Sequence, residues 1–277
     1  MPSKIDISLG ALLIGGLIAM ALLGVACVQG YTYFNQSSSD RLLLKGTIAF
    51  LLILTTFDSA LVDHFLYFYL IKQFGNPLVL STLVWSLTVH NAIRPVVGFI
   101  IRTMFAHRVY IFSNKSILLT SWITVFSFMG FAAAVLLEIP GNIASYQEEF
   151  LYLNLAAVTL ANLSITISLC YLLYRSRTGF RRTHSVIRLL MMYTINTGGI
   201  VTLGSLSSLV NFSIHPQGPS SILDSISRIL NGMYLNSYLA GLNAREGIRD
   251  QFNEPVSVRS QLGLPMAFAP GSSSLQQ

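Results

Sequence analysis

The first long apolar stretch of the chain reads LGALLIGGLIAMALLGVACVQGYTY, from Leu9 to Tyr33, and it contains no charged residue. A helix needs about 20 mostly apolar residues to cross roughly 30 Å of hydrocarbon at about 1.5 Å per residue. The stretch exceeds this length, and it also exceeds the roughly 7–15 residues of a signal-peptide core. We therefore predict a first membrane-spanning helix that the mature chain retains.

Further segments of similar length and composition follow the first one. We predict spans at Gly46–Leu70, Val79–Ile101 or a turn or two further, Ser116–Leu137, Phe150–Tyr174, Leu189–Phe212 and Ile222–Leu242. The chain of 277 residues is 53% hydrophobic and 10% charged, whereas a soluble domain is about 25% charged. The fold class is therefore all-α, an integral membrane seven-helix bundle that forms one domain over residues 1–250.

The composition also bounds the rest of the chain and its partners. Residues 251–277 are rich in Pro, Gly, Ser and Gln, which predicts a disordered cytoplasmic tail. The lipid bilayer is the partner that the apolar segments imply. The net charge of +6 does not indicate nucleic-acid binding, because the positive charges lie between the apolar segments.

The positions of the basic residues predict the orientation of the helices. If the N-terminus is outside, the outer segments hold only Lys4 and Lys72, and thirteen of the 17 Lys and Arg residues are inside. This distribution follows the positive-inside rule. We therefore predict that the N-terminus is outside and the C-terminus inside, with the plasma membrane as the default location. The inner residues are Arg41, Lys45, Arg102, Arg108, Lys115, Arg175, Arg177, Arg181, Arg182, Arg188, Arg245, Arg249 and Arg259.

One inner loop is especially basic. Orientation alone explains its arginines, and binding of anionic lipid headgroups or of a cytosolic signalling protein is the alternative. These residues, which we call the basic loop, are Arg175, Arg177, Arg181, Arg182 and Arg188.

Three motifs in the second half of the chain resemble a known family. They are RSRTGFRRT at Arg175–Thr183, YTINTGG at Tyr193–Gly199 and NSYLAGLNAR at Asn236–Arg245. GALLIG, DSALVDH and FAHRVY precede them in the same order as in that family. The chain resembles a fungal multi-pass membrane family, typical of mushroom-forming species and catalogued as domain of unknown function 6534, whose named region would cover about residues 155–250. The resemblance implies no activity, ligand or cofactor.

Small and polar residues of these motifs fall in the sixth and seventh spans or just after the seventh. Small and amide side chains often join helices within membranes, so we expect them to act in helix packing. The motif residues concerned are Tyr193, Asn196, Thr197, Gly198, Asn236, Asn243 and Arg245.

Three ionisable side chains lie at similar predicted depths in the second and third spans. Asp58 and His90 each lie about 18 Å from the inner end of their helix, and Arg94 lies about 12 Å from it, at about 1.5 Å per residue. Ionisable groups in spans cost commonly about 2.5–3.5 kcal/mol each and usually face the bundle interior. We therefore predict an Asp58–His90–Arg94 cluster, which is either an ion pair that fixes helix register or a ligand, ion or proton site.

A second polar group is predicted at the outer end of the seventh span. Asp224 and Arg228 are four residues apart, so they share one helix face and predict an intrahelical ion pair. Asp63 and His64 lie near the same level and are expected to join them.

The function classes narrow by what the sequence lacks. It contains no HExxH, GxSxG, P-loop or paired CxxC motif, so we expect no enzyme, metal or cofactor. The leading hypothesis is a receptor-like or signalling membrane protein with an unknown ligand. The alternatives are a transporter or lipid-moving protein that uses the Asp58–His90–Arg94 cluster, and a structural membrane protein.

Overall fold

The computed structural model of the chain describes residues 4–36, 40–73, 84–113, 115–138, 147–176, 184–214 and 220–253. These residues form seven α-helices and contain no strand, so the predicted all-α class is confirmed. A π-helical turn, Phe68–Lys72, extends the second helix. The helices are α1 (Lys4–Gln36), α2 (Leu42–Tyr67), α3 (Trp85–Phe112), α4 (Ile117–Leu137), α5 (Gln147–Ser176), α6 (His184–Ile214) and α7 (Ser220–Asn253).

Six of the helices, α1 to α6, are long and apolar enough to cross a membrane. Each of them exposes large apolar side chains, as lipid contact requires and as water would disfavour. Examples, one per helix, are Leu17, Ile53, Ile111, Leu118, Ile167 and Leu203. These helices indicate a membrane protein.

The seventh helix is present but is less apolar than the other six, although the sequence predicts a span at Ile222–Leu242. No residue of α7 between Ile222 and Ala244 is exposed. The reason is that α7 packs against α1, α3 and α6. A helix that its neighbours screen in this way can carry polar side chains that a lipid-facing helix would not tolerate.

The third helix contacts α2, α4, α5 and α7 and therefore lies at the centre of the packing. It begins at Trp85, later than the predicted Val79, and it ends at Phe112, three turns beyond Ile101. Because α3 is longer, Arg102 and Arg108, which the sequence places in an inner segment, lie within this helix and are buried. The Arg108 guanidinium stacks 4.5 Å from the ring centre of Tyr238.

Pro95 lies inside α3, and the helix continues through it. Proline has no backbone N–H, so the carbonyl of the residue four positions earlier, Asn91, loses its helical donor.

Parallel packing of α1 and α7 is fixed by three side chains that donate to backbone carbonyls. Ser225 Oγ donates to Ala11 at 2.9 Å, and the amides of Asn236 and Asn243 donate to Leu22 and Gln29, both at 2.8 Å. Each donor is 214 residues after its acceptor. A constant offset requires two parallel helices in register, and we call this set the α1–α7 ladder.

Candidate functional site

A chain of three polar side chains joins α2, α3 and α7. An oxygen of the Asp58 carboxylate lies 2.5 Å from His90 Nδ1. On the other side of the ring, Arg228 Nη2 lies 3.0 Å from His90 Nε2. His90 is 1% exposed and Arg228 is also buried. The structure thus brings Asp58 and His90 together across two helices, as the depth estimate predicts.

These contacts fix the protonation of the His90 ring. A guanidinium is always protonated and can only donate, so His90 Nε2 must accept and carries no proton. The proton of the ring is then on Nδ1, where it is donated to the Asp58 carboxylate. In this tautomer the His90 ring links the Asp58 anion to the Arg228 cation.

Arg94 pairs with Asp224 and not with Asp58 or His90. The expected intrahelical pair between Asp224 and Arg228 is not formed, because each of these residues binds a partner on α3. The physical reason is charge compensation. If Asp224 bound Arg228, the partly buried Arg94 would have no carboxylate. Side chains in helices point back toward the N-terminus of their helix. This direction lets Arg94 on α3 reach Asp224 on α7, and it lets Arg228 on α7 reach His90 on α3.

Among the described residues, the other two members of the predicted outer group form no hydrogen bond with these side chains, although Asp63 and Arg228 attract each other electrostatically. His64 Nδ1 is 2.9 Å from the hydroxyl of Ser86, and its ring lies 5.2 Å from that of Trp85. Asp63 is exposed. Among the described residues, the charged network consists of Asp58, His90, Arg94, Asp224 and Arg228, and we call it the polar network.

Two cavities lie against the polar network. The smaller, about 50 Å³, is lined by Asp58, Arg94 and Arg228 on one side and by α1 on the other. The larger, about 120 Å³, lies among α3 to α7 and is lined by Arg94 and Asp224 at one end. Arg94 and Asn231 line both and separate them.

The larger cavity also contains a residue that the sequence reasoning did not assign to a site. Arg102 lines it together with Tyr234 and Asn162. Arg94, Gly98 and Arg102 recur every four positions and so lie on neighbouring parts of the α3 surface, but only the packing of the other helices shows that Arg102 is enclosed.

The family-motif residues that the structure describes take part in helix contacts. Asn236 and Asn243 belong to the α1–α7 ladder. A Cβ atom at Gly198 would lie 2.8 Å from the hydroxyl of Thr166, so the missing side chain lets α6 approach α5 closely. Thr197 lies beside it on α6.

The remaining predicted residues are only partly covered. Tyr193 and Asn196 lie on α6 and Arg245 on α7, but their side chains are outside the described residues. In the basic loop, Arg175 lies in the last turn of α5 and Arg188 lies near the start of α6, again without described side chains. Arg177, Arg181 and Arg182 lie outside the described residues altogether.

The donor set in the described part of the chain does not resemble a metal centre. There, no group of three or more His, Cys, Asp or Glu side chains is arranged to hold a metal ion. The chemistry that the polar network offers is charge pairing by its arginines and aspartates and hydrogen bonding through the His90 ring.

Comparison with known proteins gives one match. No curated protein and no solved structure matches the chain. Residues 158–247, from within α5 to within α7, match the family model described as "Family of unknown function (DUF6534)", and this match supports the family that the motifs of the second half resemble.

Proposed function

We propose that the chain is a receptor-like signalling protein of a fungal membrane, by default the plasma membrane. In this proposal all seven helices cross the bilayer as one bundle, with the N-terminus outside and the C-terminus inside, and the protein is not an enzyme. The observation that carries it is the polar network, in which five charged or titratable side chains hold α2, α3 and α7 together. A ligand or proton that breaks one of these contacts would change the position of the helices.

The test compares a variant of the polar network with a matched variant outside it. Spin labels at Tyr31 and Ile111, exposed sites near the same ends of α1 and α3, would report the distance between the helices in lipid nanodiscs after replacement of the native cysteines. We expect His90→Gln to shift or broaden the distance distribution. His64→Gln is the control, because His64 hydrogen-bonds only Ser86 among the described residues. If the two variants give the same distances, the network does not hold the helix arrangement and the proposal fails.

The basic loop is the proposed contact with anionic lipid headgroups or a cytosolic signalling protein. Its support is the density of positive charge on a predicted inner segment, which attracts anionic surfaces. Neutralising Arg181 and Arg182 should abolish signalling and leave ligand binding intact. Persistence of both activities would remove the loop from the proposal.

A proton-coupled transporter is the second candidate, and His90 is the observation that favours it. The neutral ring has its one acceptor nitrogen turned to Arg228, so a proton taken up there would end that hydrogen bond and place two cations side by side. Asp58 and Arg228 also line the smaller cavity. Proton flux into liposomes should then be lost in Asp58→Asn. The absence of flux in well-folded wild-type protein, under every condition and with a broad metabolite panel, would favour the receptor-like role.

A further inference from the structure

Arg102 is a buried cation without a counter-ion in the described part of the chain. It is 6% exposed, and its Nε has no hydrogen-bond partner. The ion pairs formed by the described residues involve His90 and Arg94, not Arg102. An ionised group buried without a partner is strongly unfavourable, so this arrangement calls for an anion from outside the chain.

The cavity beside Arg102 offers further polar atoms that no protein group uses. The hydroxyl of Tyr234 is buried and has no hydrogen-bond partner, and the same holds for Asn162 Oδ1. The Asn162 amide donates to Ser205 Oγ at 2.7 Å, and both residues line the cavity.

Gly98 keeps the space around the guanidinium open. A Cβ atom at this position would lie 3.2 Å from Arg102 Nη1 and 3.3 Å from Asn231 Oδ1. The missing side chain therefore lets the Arg102 guanidinium lie against the backbone of α3.

The charges and the shape of the cavity define the ligand class. Arg94 and Asp224 also line it, but they neutralise each other, so Arg102 leaves one uncompensated positive charge. Most of the remaining lining is apolar, with Phe131, Leu155, Val158, Val201, Leu223 and Leu230 among its residues. The volume of about 120 Å³ is well below the roughly 300–1,000 Å³ of sites for drug-sized ligands.

We propose that this cavity binds a short-chain monocarboxylate, with the carboxylate on Arg102 and Tyr234 and the hydrocarbon chain against α4 and α5. A planar guanidinium matches a carboxylate in a two-bond arrangement, and the Tyr234 hydroxyl supplies a further donor. The site is distinct from the Asp58–His90–Arg228 chain. The proposed binding is compatible with a receptor and with a transporter, because it depends on neither activity.

The experiment measures ligand binding to the full chain in nanodiscs of zwitterionic phosphatidylcholine, by saturation-transfer NMR and by calorimetry. The probes are butyrate and butyramide, which have nearly the same shape but differ in charge. We expect saturable binding of butyrate and at least tenfold weaker binding of butyramide. Arg102→Gln should weaken butyrate binding at least tenfold, whereas the matched change Arg41→Gln, at an exposed arginine, should leave it unchanged.

Two further variants keep the test decisive if Arg102→Gln does not fold. Tyr234→Phe removes only the unpaired hydroxyl and should weaken butyrate binding several-fold. Arg102→Lys keeps the charge but loses the planar fork, so it should bind butyrate more weakly than the wild type. Equal binding of butyrate and butyramide, equal competition by chloride or by a phosphorylated lipid headgroup, or unchanged affinity in these variants would overturn the proposal.

Discussion

The ring of His90 has one charged neighbour at each nitrogen, so its protonation state can be read spectroscopically. We expect ¹⁵N NMR of histidine-labelled protein in nanodiscs at neutral pH to show one neutral ring with a protonated Nδ1 and a bare Nε2. The signal should disappear in His90→Gln, whereas His64→Gln should leave it in place. A His90 signal with a protonated Nε2 would contradict the hydrogen bond from Arg228.

The Arg94–Asp224 pair should contribute more to stability than its position near a cavity suggests. Removing one partner of a buried pair costs about 3–5 kcal/mol, and because this pair is partly exposed we expect Asp224→Asn to lower the free energy of unfolding by about 3 kcal/mol, at the low end of that range. Reversible unfolding in detergent measures it. The double variant Arg94→Gln/Asp224→Asn should recover part of the loss, since no charge is then left unpaired.

The control for that cycle is Glu149→Gln, which changes an exposed carboxylate on α5. Its effect should stay within about 0.5 kcal/mol. Additive effects of Arg94→Gln and Asp224→Asn would show that the two side chains do not interact.

For single residues, the sequence predicts how deep a side chain lies in the membrane but not toward which neighbouring helix it points. Counting residues places Asp58 and His90 at one level, and they do meet. It cannot assign Arg94 to a partner, because the choice depends on which face of α3 meets which face of α7. It also places Arg228 in a separate outer group, although Arg228 contacts His90. Arg102 is missed for another reason. A positive charge normally ends a span, and only tertiary packing shows that this one is enclosed.

The face of α1 that contacts α7 depends on the absence of side chains. A Cβ atom at Gly15 would lie 2.6 Å from Ser225 Cβ and 3.1 Å from its Cα, which is backbone and cannot move aside cheaply. We expect Gly15→Ala to destabilise the protein by about 1–3 kcal/mol, as overpacking does. Thermal unfolding in detergent measures this.

Gly24 provides the matched control on the same helix. A Cβ atom there would meet nothing within 4 Å. Gly24→Ala should therefore be neutral or stabilising by about 0.5–1 kcal/mol, because alanine favours helix over glycine by this amount. Equal effects of the two substitutions would mean that α1 does not pack closely on α7 at Gly15.

Among the elements, α4 is the one that the sequence locates best, because polar Ser116 and charged Glu138 bracket its apolar residues. The bounds of α3 are predicted less well. Hydropathy ends the span before Arg102, but the helix continues because α2, α4, α5 and α7 enclose its second half. The polar character of α7 has the same cause, and a window of hydropathy cannot anticipate burial by neighbouring helices.

For the whole molecule, the proposed topology requires that α7 crosses the bilayer. Protease-cleavable tags in sealed vesicles, one within residues 215–219 and one after residue 277, would test this. We expect the two tags to lie on opposite sides, because buried α7 runs parallel to α1 through the α1–α7 ladder. A third tag within residues 177–183 should lie on the same side as the C-terminal tag. If the first two tags are cleaved from the same side, α7 does not cross.

The α1–α7 ladder also bears on how the protein is made. The ribosome produces α1 before the other helices and α7 after them, yet carbonyls of α1 accept the hydrogen bonds that the side-chain amides of Asn236 and Asn243 donate. In the proposed seven-helix bundle, the least apolar helix would therefore be inserted last, after α1 is already in the bilayer. Packing of α7 would then complete the bundle. A nascent chain that stopped before α7 would leave uncovered the face of α1 that contains Gly15.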